Sequence, residues 1–278
     1  MKKVKSDNAY TIWSVSIILC ILLSVFSLIF ASCAKSPENP EASPSASAAE
    51  SPPPDSNTED EPTESDNITS PSPSTTGRLS ESGDAGQEYI DKVIFLGDST
   101  TNGLSHYNVV SKNQVWTPAS GTLTLALWSA ATIVYPENGS EVSISEAVAA
   151  KKPEYMLITL GVNGVSFMGE ESFISEYSNL VKAIQDTSPE TKIILNSIYP
   201  VTSEYPQTTG ITNPKIEAAN LWVEAVAEAC GVAYTDSASV LKMEDGSLDP
   251  NLCNGDDIHL NTDGYNAVIK YIRTHAWQ

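Results

Sequence analysis

The sequence predicts an α/β fold of three layers, with a mostly parallel central sheet between helices. Three observations lead there. Apolar runs of strand length recur at Val93–Leu96, Tyr155–Leu160, Lys192–Tyr199 and Val232–Thr235. Most of their positions are apolar in succession, as in strands covered on both faces, rather than alternately apolar and polar. The segments between them carry apolar residues at helical spacing, and strands alternating with helices imply parallel pairing.

The chain has 278 residues, a net charge of −20 and a pI near 4.3. No basic stripe is present, which argues against nucleic acid as a partner. Lys2, Lys3 and Lys5 precede Tyr10–Ser32, 23 residues without a charge. That is long enough to span a bilayer and long for a signal-peptide core. The stretch ends Ile29-Phe-Ala-Ser-Cys33. It resembles a bacterial lipoprotein signal, with small residues before a cysteine that becomes lipidated, although Phe30 stands where such signals usually carry Leu. Cys33 is then the lipidation site; an uncleaved anchor is the alternative. Both readings place the remainder outside the cytoplasm, because the lysines precede the apolar run.

Residues 34–87 are Ser, Pro, Thr, Glu and Asp with almost no large apolar side chain. Such a segment cannot bury a core, and it is expected to be a disordered spacer. The folded domain is expected over residues 88–278.

Within that domain Val93–Leu96 is the first strand. Residues 104–145 carry weaker signals. Thr132–Tyr135 and Glu141–Ile144 read as a hairpin around Asn138-Gly139. Ser143 and Glu146 form a capping-box pattern for a helix over 144–152. Asn113–Thr122 reads as a long loop above the sheet edge. Phe173, Tyr177, Leu180, Val181 and Ile184 share one helix face; Ile216, Ala219, Val223, Val226 and Ala227 share another. Tyr265, Val268, Ile269 and Ile272 mark the last helix. Cys230 and Cys253 are the only cysteines in this region, with no CxxC or Cys/His cluster to suggest zinc. Two separate thiols are expected in preference to a disulfide.

Three short constellations carry chemistry. Gly97-Asp98-Ser99 closes the first strand, at the end where parallel sheets place their ligands. Read alone, it is either an exposed nucleophile or a strand-to-helix turn capped by Ser99 or Thr100. Asp256 and His259 lie three residues apart just before the last helix. In a helical turn that spacing puts both on one side, so the carboxylate can fix the imidazole tautomer and leave Nε2 free to take a serine proton. A capped helix start with an incidental histidine is the other reading. His106 has no acidic neighbour at useful spacing and His275 is almost terminal. Gly161-Val-Asn163-Gly164 ends the Tyr155–Leu160 strand, where the asparagine amide either donates to an oxyanion or shapes a turn.

Taken together, these fragments resemble the SGNH, or GDSL-like, hydrolases. The resemblance covers about residues 90–275. It implies a flavodoxin-like α/β/α fold and the hydrolysis of esters or related acyl bonds. It makes Ser99 the nucleophile, His259 the base and Asp256 its orienting carboxylate. The oxyanion hole it implies comprises the N–H of Ser99, the amide of Asn163 and a glycine N–H, for which Gly121 after Pro-Ala-Ser is the candidate. Gly164 stands where the family usually carries Asp. No metal or organic cofactor is implied. The expected substrate is a small-molecule or carbohydrate acyl ester, with O-acetylated carbohydrate in view. The expected location is the extracellular face of the bacterial cytoplasmic membrane, through a lipid or apolar anchor. Tyr107, Trp116 and Trp128 are either substrate walls or buried aromatics. Alternatives are an acyltransferase using the same triad, a non-catalytic glycan-binding surface lipoprotein, and a flavin phosphate loop at Ser99–Thr101.

Overall fold

The structure, a computed structural model, describes residues 77–277. The apolar amino-terminal segment, Cys33 and most of the expected spacer lie outside the described residues. Among the described residues, no helix is long and apolar enough to cross a membrane.

Six strands form the central sheet: β1 (Gly77–Arg78), β2 (Val93–Gly97), β3 (Val115–Trp116), β6 (Tyr155–Thr159), β7 (Lys192–Asn196) and β8 (Ala233–Thr235), in the order β1-β8-β7-β6-β2-β3. Every neighbouring pair is parallel. Leaving out the edge strand β1, the order is that of a flavodoxin-like sheet, and its switch point lies between β2 and β6. Two further strands, β4 (Thr132–Val134) and β5 (Glu141–Ser143), pair antiparallel as a separate hairpin, close to the one expected.

Alternate side chains of each strand enter opposite layers. Ile94, Leu96, Met156, Ile158, Ile193 and Leu195 pack with α3 (Ile144–Lys151), α4 (Glu170–Thr187) and α5 (Asn213–Cys230). Val93, Phe95, Leu157 and Ile194 pack on the other face with α1 (Gly86–Ile90), α2 (Ser99–His106) and α6 (Thr262–Thr274). Helix α3 starts at the predicted capping box, with Ser143 Oγ accepting the Glu146 N–H and the Glu146 carboxylate accepting the Ser143 N–H. Cys230 and Cys253 are both free thiols.

Three expectations change. Residues 77–87 were expected in the spacer, yet Gly77–Arg78 pairs with Ala233–Tyr234. The Arg78 guanidinium bonds Glu224 and Asp236, Leu79 is buried, and the Ser82 and Ala85 N–H groups donate to carbonyls of Thr274 and Arg273. A polar stretch is held there by backbone bonds and ion pairs, with little apolar pattern to reveal it. Asn113–Thr122 is not wholly loop, because Val115–Trp116 forms the edge strand β3. Two paired residues are too few to show a periodicity. Asp256 and His259 sit on no helix, since α6 begins only at Thr262. The Asp256 carboxylate takes the N–H groups of Ile258 and His259, and Gly255 and Asp257 have φ of 99° and 69°. Both features break a helical turn.

Candidate active site

Strand β2 ends at Gly97 because nothing larger fits: a Cβ there would collide with the Thr101 hydroxyl and the Thr159 carbonyl of neighbouring β6. The chain turns at once into α2. Its cap is Asp98, one residue earlier than the sequence suggested; its carboxylate accepts both the N–H and the hydroxyl of Thr100, at 3.0 and 2.8 Å. Asp98 is 1% exposed. Burial pushes its carboxyl up to about 6, against the two bonds from Thr100. Ser99 is thereby the first residue of α2. Its N–H has no carbonyl one turn back to bond.

The opposite wall is the loop before α6. Cys253 and Leu260 form an isolated antiparallel bridge at its base, and Asn254 N–H donates to the His259 carbonyl at 2.9 Å. Asn261 closes the loop and caps α6: its Oδ1 accepts from Asp263 and Gly264, and its Nδ2 donates to the Asn251 and Cys253 carbonyls. Within this frame Asp256 Oδ2 lies 2.6 Å from His259 Nδ1. Partial burial acts to raise the Asp256 carboxyl, but the N–H groups of His259 and Ile258 and the imidazole outweigh it, so the net movement is downward. An ionised carboxylate only accepts, so Nδ1 carries the proton and Nε2 is left as an acceptor. Nε2 lies 2.8 Å from Ser99 Oγ, 160 residues away in sequence.

Asn163 lies in the turn after β6, beside the end of β2. It is half-buried, and its Nδ2 faces the Leu123 carbonyl at 3.5 Å, the outer limit of a hydrogen bond. Gly121 lies against α2: it has φ of 73°, and a Cβ would meet Asn102 Nδ2 at 2.7 Å. Its N–H donates to the Pro118 carbonyl at 2.8 Å. The expectation that this N–H completes an oxyanion hole is therefore corrected, because a turn within its own loop already uses the donor.

Thus Ser99, His259 and Asp256 come together, Asn163 shares their end of the sheet, and Gly121 contributes close packing. Trp116 is buried against Tyr135 and is no substrate wall. Trp128 is half-buried, with its Nε1 donating to Glu176 at 3.0 Å. Asp98 was legible only as part of a motif; its burial and capping bonds have no signature in the sequence. Among the described residues, no group of three or more His, Cys, Asp or Glu side chains could hold a metal ion.

Residues 95–267 match the GDSL-like Lipase/Acylhydrolase family, and the chain belongs to that family. It is an ester hydrolase of the SGNH/GDSL type. The search of curated proteins found no significant match. Among solved structures, a protein from Streptococcus pneumonia, provisionally described as a platelet activating factor, is 19% identical with a TM-score of 0.50, covering 67% of this chain and 88% of that one. A GDSL-like lipase from Bacteroides thetaiotaomicron is 18% identical with a TM-score of 0.48, covering 66% and 87%. An acetyl-xylooligosaccharide esterase from Geobacillus Stearmophilus is 20% identical with a TM-score of 0.41, covering 67% and 94%. The first of these likenesses bears on the fold alone.

Proposed function

We propose that the protein is an extracytoplasmic serine esterase that removes short acyl groups, O-acetyl on carbohydrate in particular, through Ser99, His259 and Asp256. The observation that carries the mechanism is the 2.8 Å approach of His259 Nε2 to Ser99 Oγ, with Asp256 on the far ring nitrogen. His259 takes the hydroxyl proton as Oγ attacks the acyl carbonyl. The tetrahedral oxyanion is held by the Ser99 N–H and the Asn163 amide. Collapse breaks the ester bond, and the imidazolium returns its proton to the departing alcohol. Water then gives a proton to the same nitrogen as it attacks the acyl-serine, and the imidazolium returns that proton to Ser99 Oγ as the acyl C–O bond breaks and the acid leaves. Asp256 stabilises the imidazolium and fixes its tautomer.

A crevice opens on the loop that carries Leu123, whose carbonyl faces Asn163 Nδ2. It has a volume of about 440 Å³ and is lined by Ser120, Thr122, Thr124, Ala119 and Leu127, among others. Its hydroxyl groups can bond sugar hydroxyls, while Pro118, Leu123 and Leu127 offer an apolar side to an acyl methyl. Support for the location is the charge-free amino-terminal run behind three lysines, ending at Cys33. The test is hydrolysis of acyl esters of increasing chain length and of acetylated oligosaccharides by wild type, Ser99→Ala and His259→Ala. Activity confined to the wild type and to short acyl groups is expected. Equal rates in all three proteins overturn the mechanism, and a preference for long chains overturns the substrate class.

A further inference from the structure

We infer that Asp257 and Thr202 form a clamp that positions the His259 loop, making Asp257 a positioning residue for the esterase reaction; this rests on the catalytic roles proposed above. Asp257 lies between Asp256 and His259 and has φ of 69°. That region costs most residues about 1–2 kcal/mol; glycine enters it freely, and aspartate enters it where its side chain finds a hydrogen bond. The aspartate brings what glycine lacks: its Oδ1 accepts the Thr202 hydroxyl at 2.7 Å. The left-handed turn also aims its backbone carbonyl at the Thr202 N–H, at 2.9 Å. Two bonds from one residue thus grip the tip of the loop.

Thr202 is a fixed anchor. It is 2% exposed. The Val201 N–H and carbonyl are both bonded by the Asn213 side chain, at 2.9 Å each. The Ile198 N–H and carbonyl are both bonded by Asn220, at 2.7 and 3.0 Å. Both asparagines belong to α5, so the segment after β7 is stapled to a long helix. The bridge at Cys253 and Leu260 fixes only the base of the His259 loop. The remaining bonds of the tip, such as Asp256 N–H to Asn254 Oδ1, lie within the loop, so the Thr202 bonds tie it to the segment after β7. Proton transfer between Ser99 and His259 depends on sub-ångström placement, so the clamp acts on turnover more than on binding.

The experiment uses the full chain in detergent micelles, with p-nitrophenyl acetate as substrate and the rate of Ser99 labelling by a fluorophosphonate as a second readout. Asp257→Gly keeps the backbone geometry and loses the side-chain bond; Thr202→Val loses the same bond with its volume kept. Each is expected to lower kcat and the labelling rate about tenfold with KM unchanged within twofold. The double variant is expected to be no worse than either single one, since both remove one interaction. Thr202→Ser and Asp257→Asn, which keep the donor or acceptor, are expected to stay within about threefold of wild type. Wild-type kcat in Asp257→Gly or Thr202→Val, multiplicative losses in the double variant, or losses that merely follow the unfolded fraction overturn the clamp. Ser99→Ala and His259→Ala are run alongside. If those two retain full activity, the triad itself fails, an outcome distinct from failure of the clamp.

Discussion

The hydroxyl of Tyr265 donates to the carbonyl of Thr100 at 2.8 Å and fills the space that a Cβ on Gly103 would occupy. With the Tyr265 ring packed on Tyr107, 5.7 Å between centroids, it fixes α6, which follows the His259 loop, against α2, which begins with Ser99. The distance between Ser99 and His259 therefore depends on a helix–helix contact that involves neither of them.

Substitutions at this contact test the dependence. Gly103→Ala drives a methyl into the Tyr265 ring, and overpacking of this kind costs about 1–3 kcal/mol. Tyr265→Phe removes a second donor from the Thr100 carbonyl, which keeps its place in the helical ladder, and costs about 0.5–1.5 kcal/mol. Chemical denaturation measures the first effect. Activity per folded molecule is expected to fall further in Gly103→Ala than in Tyr265→Phe, because only the former pushes the helices apart.

Asn163→Ala removes the one side-chain donor assigned to the oxyanion. A fall in kcat of about 10²–10³-fold with little change in KM is expected. Steady-state kinetics with a short acyl ester decides it; an unchanged kcat removes Asn163 from the mechanism.

Gly121→Ala separates packing from catalysis. A φ of 73° and the 2.7 Å approach to Asn102 Nδ2 predict a loss of about 1–2 kcal/mol in stability. Because the Gly121 N–H is already bonded to Pro118, the folded fraction should keep activity within a few-fold of wild type. Adding Asn102→Ala should restore part of the stability, since it clears the clash and leaves the backbone strain.

Asp98 and Asp256 give opposite slopes of stability against pH. The Asp98 carboxyl is raised to about 6 by burial. Its folded form holds the proton more tightly than the unfolded chain, so its contribution is full at acid pH and is lost as pH rises through 6. Relative to Asp98→Asn, which keeps an oxygen for Thr100, the wild type should weaken by roughly 2 kcal/mol between pH 4 and pH 7. The Asp256 carboxyl is lowered: burial opposes, and the bonds from His259 and Ile258 prevail. Its contribution is present above the ordinary carboxylate range and is lost as pH falls, so wild type should gain on Asp256→Asn with rising pH. Urea unfolding of the three proteins from pH 3 to pH 8 reads both slopes.

Much of the molecule was written locally. The short apolar runs Val93–Leu96 and Tyr155–Leu160 suit strands covered on both faces, and their alternation with amphipathic segments implies a parallel sheet. Ser143 and Glu146 set a helix start through bonds three residues apart. Ser99 at a strand end and the spacing of Asp256 and His259 were visible because a motif needs few residues, each close to the next in the chain.

What the sequence determined by itself was thus the layered α/β plan and the short motifs that carry Ser99, Asp256 and His259, since apolar periodicity and short-range motifs act through neighbours. Only the tertiary structure decided that Gly77–Arg78 joins the sheet, that the Gly121 N–H is already used, that Asp98 is buried beneath Ser99, and that Thr202 grips Asp257 55 residues away. Those facts rest on which backbone donors remain unpaired once the sheet has closed, and a donor's partner is chosen by distance in space, which linear order does not encode.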